Sequence, residues 1–247
     1  MYNFNIKTIC INLKRREDRL QNFIENCKIK NVEIFNAIDG KTIKDDINNN
    51  HFLNKFEKMK PGVIGCFLSH YYLWKKILDD NLDKLLILED DCIFQENFKE
   101  RFVKLLSEID IANKNNETIN LLYVGGRHWD NYVSRHNRII FLNKYIYKYD
   151  QYQIQNWIPG AGNKTDCSGT TIIGSDLDRT TSAYILTYKG AEILINQFNS
   201  LNPIKKMPVD HFILNTFKNL KEPIYHSKPL LIKNPSIHTK DSDVRFG

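Results

Sequence analysis

The sequence predicts an α/β fold: a mixed, mostly parallel sheet flanked by helices, in a single domain spanning residues 1–247. Three observations predict it. Strand-like and helix-like patterns alternate four times between Ile6 and Val124, the order that builds parallel sheets. Two strand candidates carry continuous apolar runs, Leu85–Leu88 and Leu121–Val124 within Ile119–Val124, as suits strands covered on both faces. No internal repeat and no linker-like stretch divides the chain, and its length suits one large core.

Composition narrows the function. A hydrophobic content of 42% and an aromatic content of 12% describe a folded globule. The net charge is +6, but the 35 basic residues are interspersed with 29 acidic ones and form no long block. That disfavours nucleic-acid binding and fits a positive pocket for a small anion. No apolar stretch approaches a membrane span, and the N-terminus lacks the order of a secretory signal, so the expected location is cytoplasmic or peripheral to a membrane. The five cysteines (Cys10, Cys27, Cys66, Cys92, Cys167) are scattered, with no CxxC pair, so neither a zinc ribbon nor a disulfide framework is expected.

The elements follow in order. Ile6–Leu13 reads as a first strand, Lys14–Arg19 as a basic turn, and Leu20, Phe23, Ile24 and Cys27 as the apolar face of a helix. A helix start just after a strand attracts anions, and Arg16 and Arg19 would add contacts to a diphosphate; a solvated first turn is the other reading. Val32–Ala37 is a second strand, closed by an Asp39-Gly40 turn. Strand carboxyl ends face the ligand crevice in such sheets, so Asp39 either meets a ribose or base, or serves only the turn. Pro61-Gly62 opens an amphipathic helix carrying Val63, Ile64, Phe67, Leu68, Tyr71, Trp74, Ile77 and Leu78. Ser69 and His70 border its apolar stripe, where an imidazole is either functional or a satisfied core group.

Leu85–Phe94 (LLILEDDCIF) is the centre of the chain. A buried strand that ends in Glu89-Asp90-Asp91 gathers like charges, a cost that Mg²⁺ or Mn²⁺ would remove. Strand alternation would put Glu89 and Asp91 on one side and Asp90 on the other. An exposed acidic turn explains the spacing equally well. Phe98, Phe102, Leu105, Leu106 and Ile109 then mark a helix, Ile119–Val124 a strand, and 138–149 a hairpin. Residues 157–181 are polar and aperiodic, as in a mobile lid or acceptor-facing loop; disorder is the other reading. Ser182–Thr187 is a strand, Gly190–Phe198 a helix, and Asp210 opens a last helix where a first-turn carboxylate is also stabilising in its own right.

Taken together, ICINLKRREDR, NAIDG, GVIGCFLSHYYLW, LLILEDDCIF, SAYILTYKGAEIL and MPVDHFIL stand in the order and spacing of glycosyltransferase family 25, which the chain resembles from Ile6 to about Asp243. LLYVGGR and PLLIKNPSIHTKDSDV look closer to its procollagen galactosyltransferase branch. The resemblance implies a GT-A-like, Rossmann-related fold and an inverting transfer of a hexose, galactose or glucose, from a UDP-sugar to a hydroxyl of a glycan or protein, with Mn²⁺ (or Mg²⁺) as cofactor. Residues 1–125 would form the nucleotide-sugar half and 126–247 the acceptor half. By position, Glu89-Asp90-Asp91 match the metal motif, with Asp91 and either Glu89 or Asp90 as ligands and His238 or His226 completing the shell. Asn12, Leu13, Arg16, Arg19, Asp39, Ser69, His70 and Asp90 fall in the donor-binding segments, and Asp210 is the expected general base. A phosphatase of the haloacid-dehalogenase kind would need Asp where Glu89 stands. A catalytically silent binding protein on the same fold is the alternative.

Overall fold

The computed structural model describes residues 1–43, 53–56, 59–114, 118–126, 139–141, 146–149, 180–201, 204, 207–227 and 231–233. The first half runs β1 (Lys7–Asn12), α1 (Glu17–Asn26), β2 (Glu33–Asn36), α2 (Gly40–Ile43), α3 (Pro61–Asp79), β3 (Lys84–Glu89), β4 (Ile93–Phe94), α4 (Phe98–Lys114), β5 (Leu121–Tyr123) and β6 (Gly125–Gly126). The second runs β7 (Ile139–Phe141), β8 (Ile146–Tyr149), β9 (Ala183–Thr187), α5 (Tyr188–Ser200), α6 (Val209–Asn219), β10 (Tyr225–Ser227) and β11 (Ile232–Lys233). Eight strands form one sheet in the order β2-β1-β3-β9-β5-β10-β8-β7. β1 lies parallel to β2 and β3, and β10 parallel to β5, whereas β9 runs antiparallel between β3 and β5. The expected hairpin is β7–β8, with Ile139 opposite Tyr149.

The alternation of side chains across the pleat divides the core in two. Ile9, Ile11, Leu85, Ile87, Tyr123, Tyr184 and Leu186 face α3, α5 and α6. Cys10, Leu86, Leu88, Leu122 and Ile185 face α1 and α4. Both faces are therefore covered, which is why Leu85–Leu88 in β3 and Leu121–Tyr123 in β5 run apolar without alternation. Phe67, Trp74, Phe198 and Phe212 form an aromatic cluster that locks α3 to α5 and α6, with Trp74 and Phe212 stacked at 5.9 Å.

Two expectations need correction. Ile24, assigned to the inner face of α1, is 44% exposed; Phe23 alone in that helix is buried, so the stripe is narrower than the sequence spacing suggests. The strand of LLILEDDCIF ends at the acids as expected, but the alternation expected of Glu89, Asp90 and Asp91 fails. Glu89 N–H donates to Ser182 O at 2.9 Å as a last bond toward the β9 side, and Asp90 and Asp91 then turn, with Cys92 N–H reaching Glu89 O at 3.3 Å. β4 leaves for a separate three-stranded sheet with β11 and β6. Period-two alternation thus does not extend past Glu89, and all three carboxylates line one crevice.

Candidate active site

The crevice lies beyond the carboxyl ends of β1, β2 and β3, where three parallel strands stop side by side. It encloses about 150 Å³, and its walls include Leu13, Arg15, Arg19, Asp39, His70 and the three acids 89–91. Its roof depends on two glycines. A Cβ on Gly40 would stand 1.9 Å from Pro61 O, and one on Gly65 would stand 2.4 Å from Ile38 O. The NAIDG and GVIG motifs are therefore two halves of one backbone contact, which brings the turn after β2 against the start of α3. Ser69 fastens the same joint: its hydroxyl donates to Gly65 O at 2.7 Å and accepts from Ile38 N–H at 2.9 Å.

The carboxylates are engaged differently. Asp90, 6% exposed, accepts from Asn12 Nδ2 at 2.8 Å and pairs with Arg19 Nη1 at 2.9 Å. Burial pushes its pKa up; Arg19 and Asn12 pull it back, but the net direction stays upward. Arg19 Nη2 also reaches Asp91 Oδ2, at 3.5 Å. Glu89 Oε1 accepts from Thr181 Oγ1 at 2.5 Å and lies 3.3 Å from His70 Nε2. Burial opposes its ionisation, yet hydrogen bonding from His70 and Thr181, with the Arg19 charge nearby, holds its carboxyl below the usual range.

Among the basic residues, Arg19 enters the crevice and Arg16 does not line it. Arg16 folds back on Asp18 through Nε at 2.9 Å and Nη2 at 2.7 Å, an exposed pair on the first turn of α1. That pairing holds the Asp18 carboxyl down at about 2. Arg15 takes the wall position instead, with Nε 2.7 Å from Asp39 Oδ2. Asp39 accepts in addition from Lys41 N–H at 3.0 Å, so it both shapes its turn and faces the crevice.

His70, 1% exposed, has Nδ1 2.9 Å from the Tyr184 hydroxyl, which accepts from Trp74 Nε1 at 3.0 Å. Ligand atoms of Cys66, His70 and Glu89 lie within 4.8 Å of one another. Burial pushes the Cys66 thiol far up, and the charges of Glu89, Asp210 and Asp91 push it further. The oxygen-rich set 89–91 instead fits a hard divalent cation. Asp210, in the first turn of α6, lies outside the crevice lining, but its charge reaches Cys66 on that wall. His226 is buried on β10 and stacked on Tyr123 at 4.8 Å, and burial drives its pKa well down. It does not line the crevice. His238 and nearly all of 157–181 lie outside the described residues.

Sequence reasoning passed over Arg15, Thr181, Tyr184 and Trp74. Trp74 stands four residues after His70, a same-face helical spacing that was visible. The Tyr184 contact requires β9 to pair with β3, with Tyr184 opposite Ile87, and a local pattern does not give that register.

By its sheet and the place of its crevice, the molecule is an α/β protein of the kind that binds ligands beyond the carboxyl ends of its strands. The profile of glycosyltransferase family 25 (LPS biosynthesis protein) matches residues 5–213, and the chain belongs to that family. Procollagen galactosyltransferase 2 of Homo sapiens is 29% identical over 82% of this chain and 29% of its own length. A glycosyltransferase 25 family member of Aedes aegypti is 29% identical over 94% of this chain and 36% of its own. The chain thus spans about a third of the length of these relatives. Among solved structures, UDP-glucose pyrophosphorylase complexed with UDP-glucose overlays on 90% of each chain at 10% identity with a TM-score of 0.43, too low to bear on function.

Proposed function

We propose that this chain is a metal-dependent, inverting glycosyltransferase that moves a hexose from a UDP-sugar to a hydroxyl of a glycan or protein acceptor. The observation that carries the reading is the crevice itself: an acidic turn and two arginines converge at strand carboxyl ends in a family 25 chain. Its similarity to a procollagen galactosyltransferase favours galactose over glucose.

Asp91 and Glu89 would hold Mn²⁺ or Mg²⁺, whose part is to offset charge developing on the departing diphosphate. Asp90 serves by fixing Arg19 and Asn12, and through Arg19 it sets the pose of Asp91. Arg15 and Arg19 would meet the diphosphate, and Asp39 the nucleoside. Asp210, in the first turn of α6 outside the lining, would as general base take the proton of the acceptor hydroxyl while that oxygen attacks the anomeric carbon opposite the leaving UDP.

A panel of UDP-sugars assayed with Mn²⁺ tests this. Transfer or hydrolysis with one donor, abolished by EDTA and by Asp91→Ala, is expected. Donor binding should survive in Asp210→Asn while turnover is lost. Activity persisting in Asp91→Ala with EDTA present would refute the metal role, and lost binding in Asp210→Asn would move that residue to the donor site.

A further inference from the structure

We propose that Tyr184 is a positioning residue for Glu89, acting through His70 by fixing which imidazole nitrogen carries the proton. The argument is a count of hydrogens. Trp74 Nε1 can only donate, so at 3.0 Å it gives its proton to the Tyr184 oxygen. The Tyr184 hydroxyl proton then needs an acceptor, and among the described residues the group 2.9 Å away is His70 Nδ1. Nδ1 is therefore the bare nitrogen. Nε2 carries the proton and directs it at Glu89 Oε1, 3.3 Å away. The chain runs one way, from indole to phenol to imidazole to carboxylate.

The opposite arrangement, with Nδ1 protonated, would aim two N–H groups at one phenol oxygen. It would also leave a buried hydroxyl proton with no acceptor among these groups, since Tyr184 is completely enclosed. Nε2 would then present a lone pair to Glu89, which an ionised carboxylate cannot satisfy.

The consequence for the site is specific. Thr181 and His70 both donate to Oε1, so the other Glu89 oxygen is the one that would be offered to a cation. This inference deepens the donor-site reading and rests on it for what Glu89 does, but the proton arrangement is testable without activity.

Nitrogen NMR of the histidine-labelled, ligand-free chain reads the tautomer directly. The His70 signal should be that of a neutral ring protonated at Nε2, and Tyr184→Phe should change it. A ring protonated at Nδ1, or an imidazolium at neutral pH, would overturn the proposal, the former pointing to cation binding by Cys66, His70 and Glu89 instead. Two substitutions separate positioning from mere packing. Glutamine in His70→Gln can place an amide N–H where Nε2 was, while asparagine in His70→Asn mimics Nδ1 and cannot reach Glu89. His70→Gln should retain most of the Mn²⁺ affinity and His70→Asn should lose about 10–100-fold, as removal of a group that orients a metal ligand does. Equal losses in both would refute positioning through Nε2. A native chain inert to every UDP-sugar would overturn the donor reading, while the NMR result would still decide the part played by Tyr184.

Discussion

Replacing Arg19 with alanine should expose what the acidic turn costs the fold. Arg19 is the cation 2.9 Å from Asp90, whose side chain is 7% exposed and whose other described partner is the neutral Asn12 amide. Removing one partner of a buried ion pair costs about 3–5 kcal/mol. An upper bound follows from the alternative open to Asp90, which is to take up a proton. From an ordinary pKa of about 3.9, protonation at pH 7 costs about 4 kcal/mol at 1.36 kcal/mol per unit. The deficit of Arg19→Ala at pH 7 should therefore be about 3–4 kcal/mol. The sign with pH follows from linkage: burial has already raised Asp90 in the native chain, and without Arg19 its folded pKa moves further above its unfolded one. The penalty is full above the folded value and fades as pH falls toward the unfolded value. At pH 5 it should shrink to about 1.5 kcal/mol, the cost of protonation there. Urea denaturation of native and variant chains at pH 7 and pH 5, with EDTA present, measures both numbers. A deficit under about 1 kcal/mol at pH 7, or one that does not shrink at pH 5, would refute the reasoning. Arg19→Lys, which keeps the charge but loses the fork to Asp91, should fall between the two.

Other substitutions probe the scaffold. In Gly65→Ala the new methyl group would meet backbone atoms on both sides, 2.4 Å from Ile38 O and 2.7 Å from Gly40 N, so a stability loss of about 1–3 kcal/mol by thermal unfolding is expected. Because Asp39 lies in the displaced turn, donor affinity should fall with it; an unchanged melting temperature would show that the turn moves freely. His226 has a folded pKa depressed by burial, so its stabilising contribution is complete above about pH 6.5 and is lost as pH falls below it. Native protein should lose about 1 kcal/mol more than His226→Phe between pH 6.5 and 5.5, and parallel stability curves would contradict this.

Much of this arrangement is legible in the sequence, and the limits have physical causes. The strands and helices of the first half follow from apolar periodicity, because the sheet is covered on both faces and each helix on one. What periodicity lacks is direction and partner. β9 reads plainly as a strand, but its antiparallel insertion between β3 and β5 is decided by contacts between residues far apart in the chain. The same ignorance of partners misleads at Glu89, where alternation would continue if the neighbouring ladder did. Arg15 and Arg16 are indistinguishable by composition. The turn before α1 decides between them, giving Arg16 the N-cap position beside Asp18 and sending Arg15 to Asp39.

The acidic turn then has a different meaning from the one its sequence suggests. Three adjacent carboxylates look like one reservoir of negative charge awaiting a cation, with interchangeable members. In the folded chain both Asp90 oxygens are engaged by Asn12 and Arg19, and Glu89 is held through Oε1 by Thr181 and His70. Asp91 meets the same arginine at the longer distance of 3.5 Å. Repulsion within the turn is thus met partly by the protein, through one arginine and several neutral donors, before any cation arrives. A site built this way keeps its shape when empty, so a cation would find its ligands already aimed. The groups that aim them come from β1, α1, α3 and the residues just before β9, so family-like fragments spread along the chain converge on one turn.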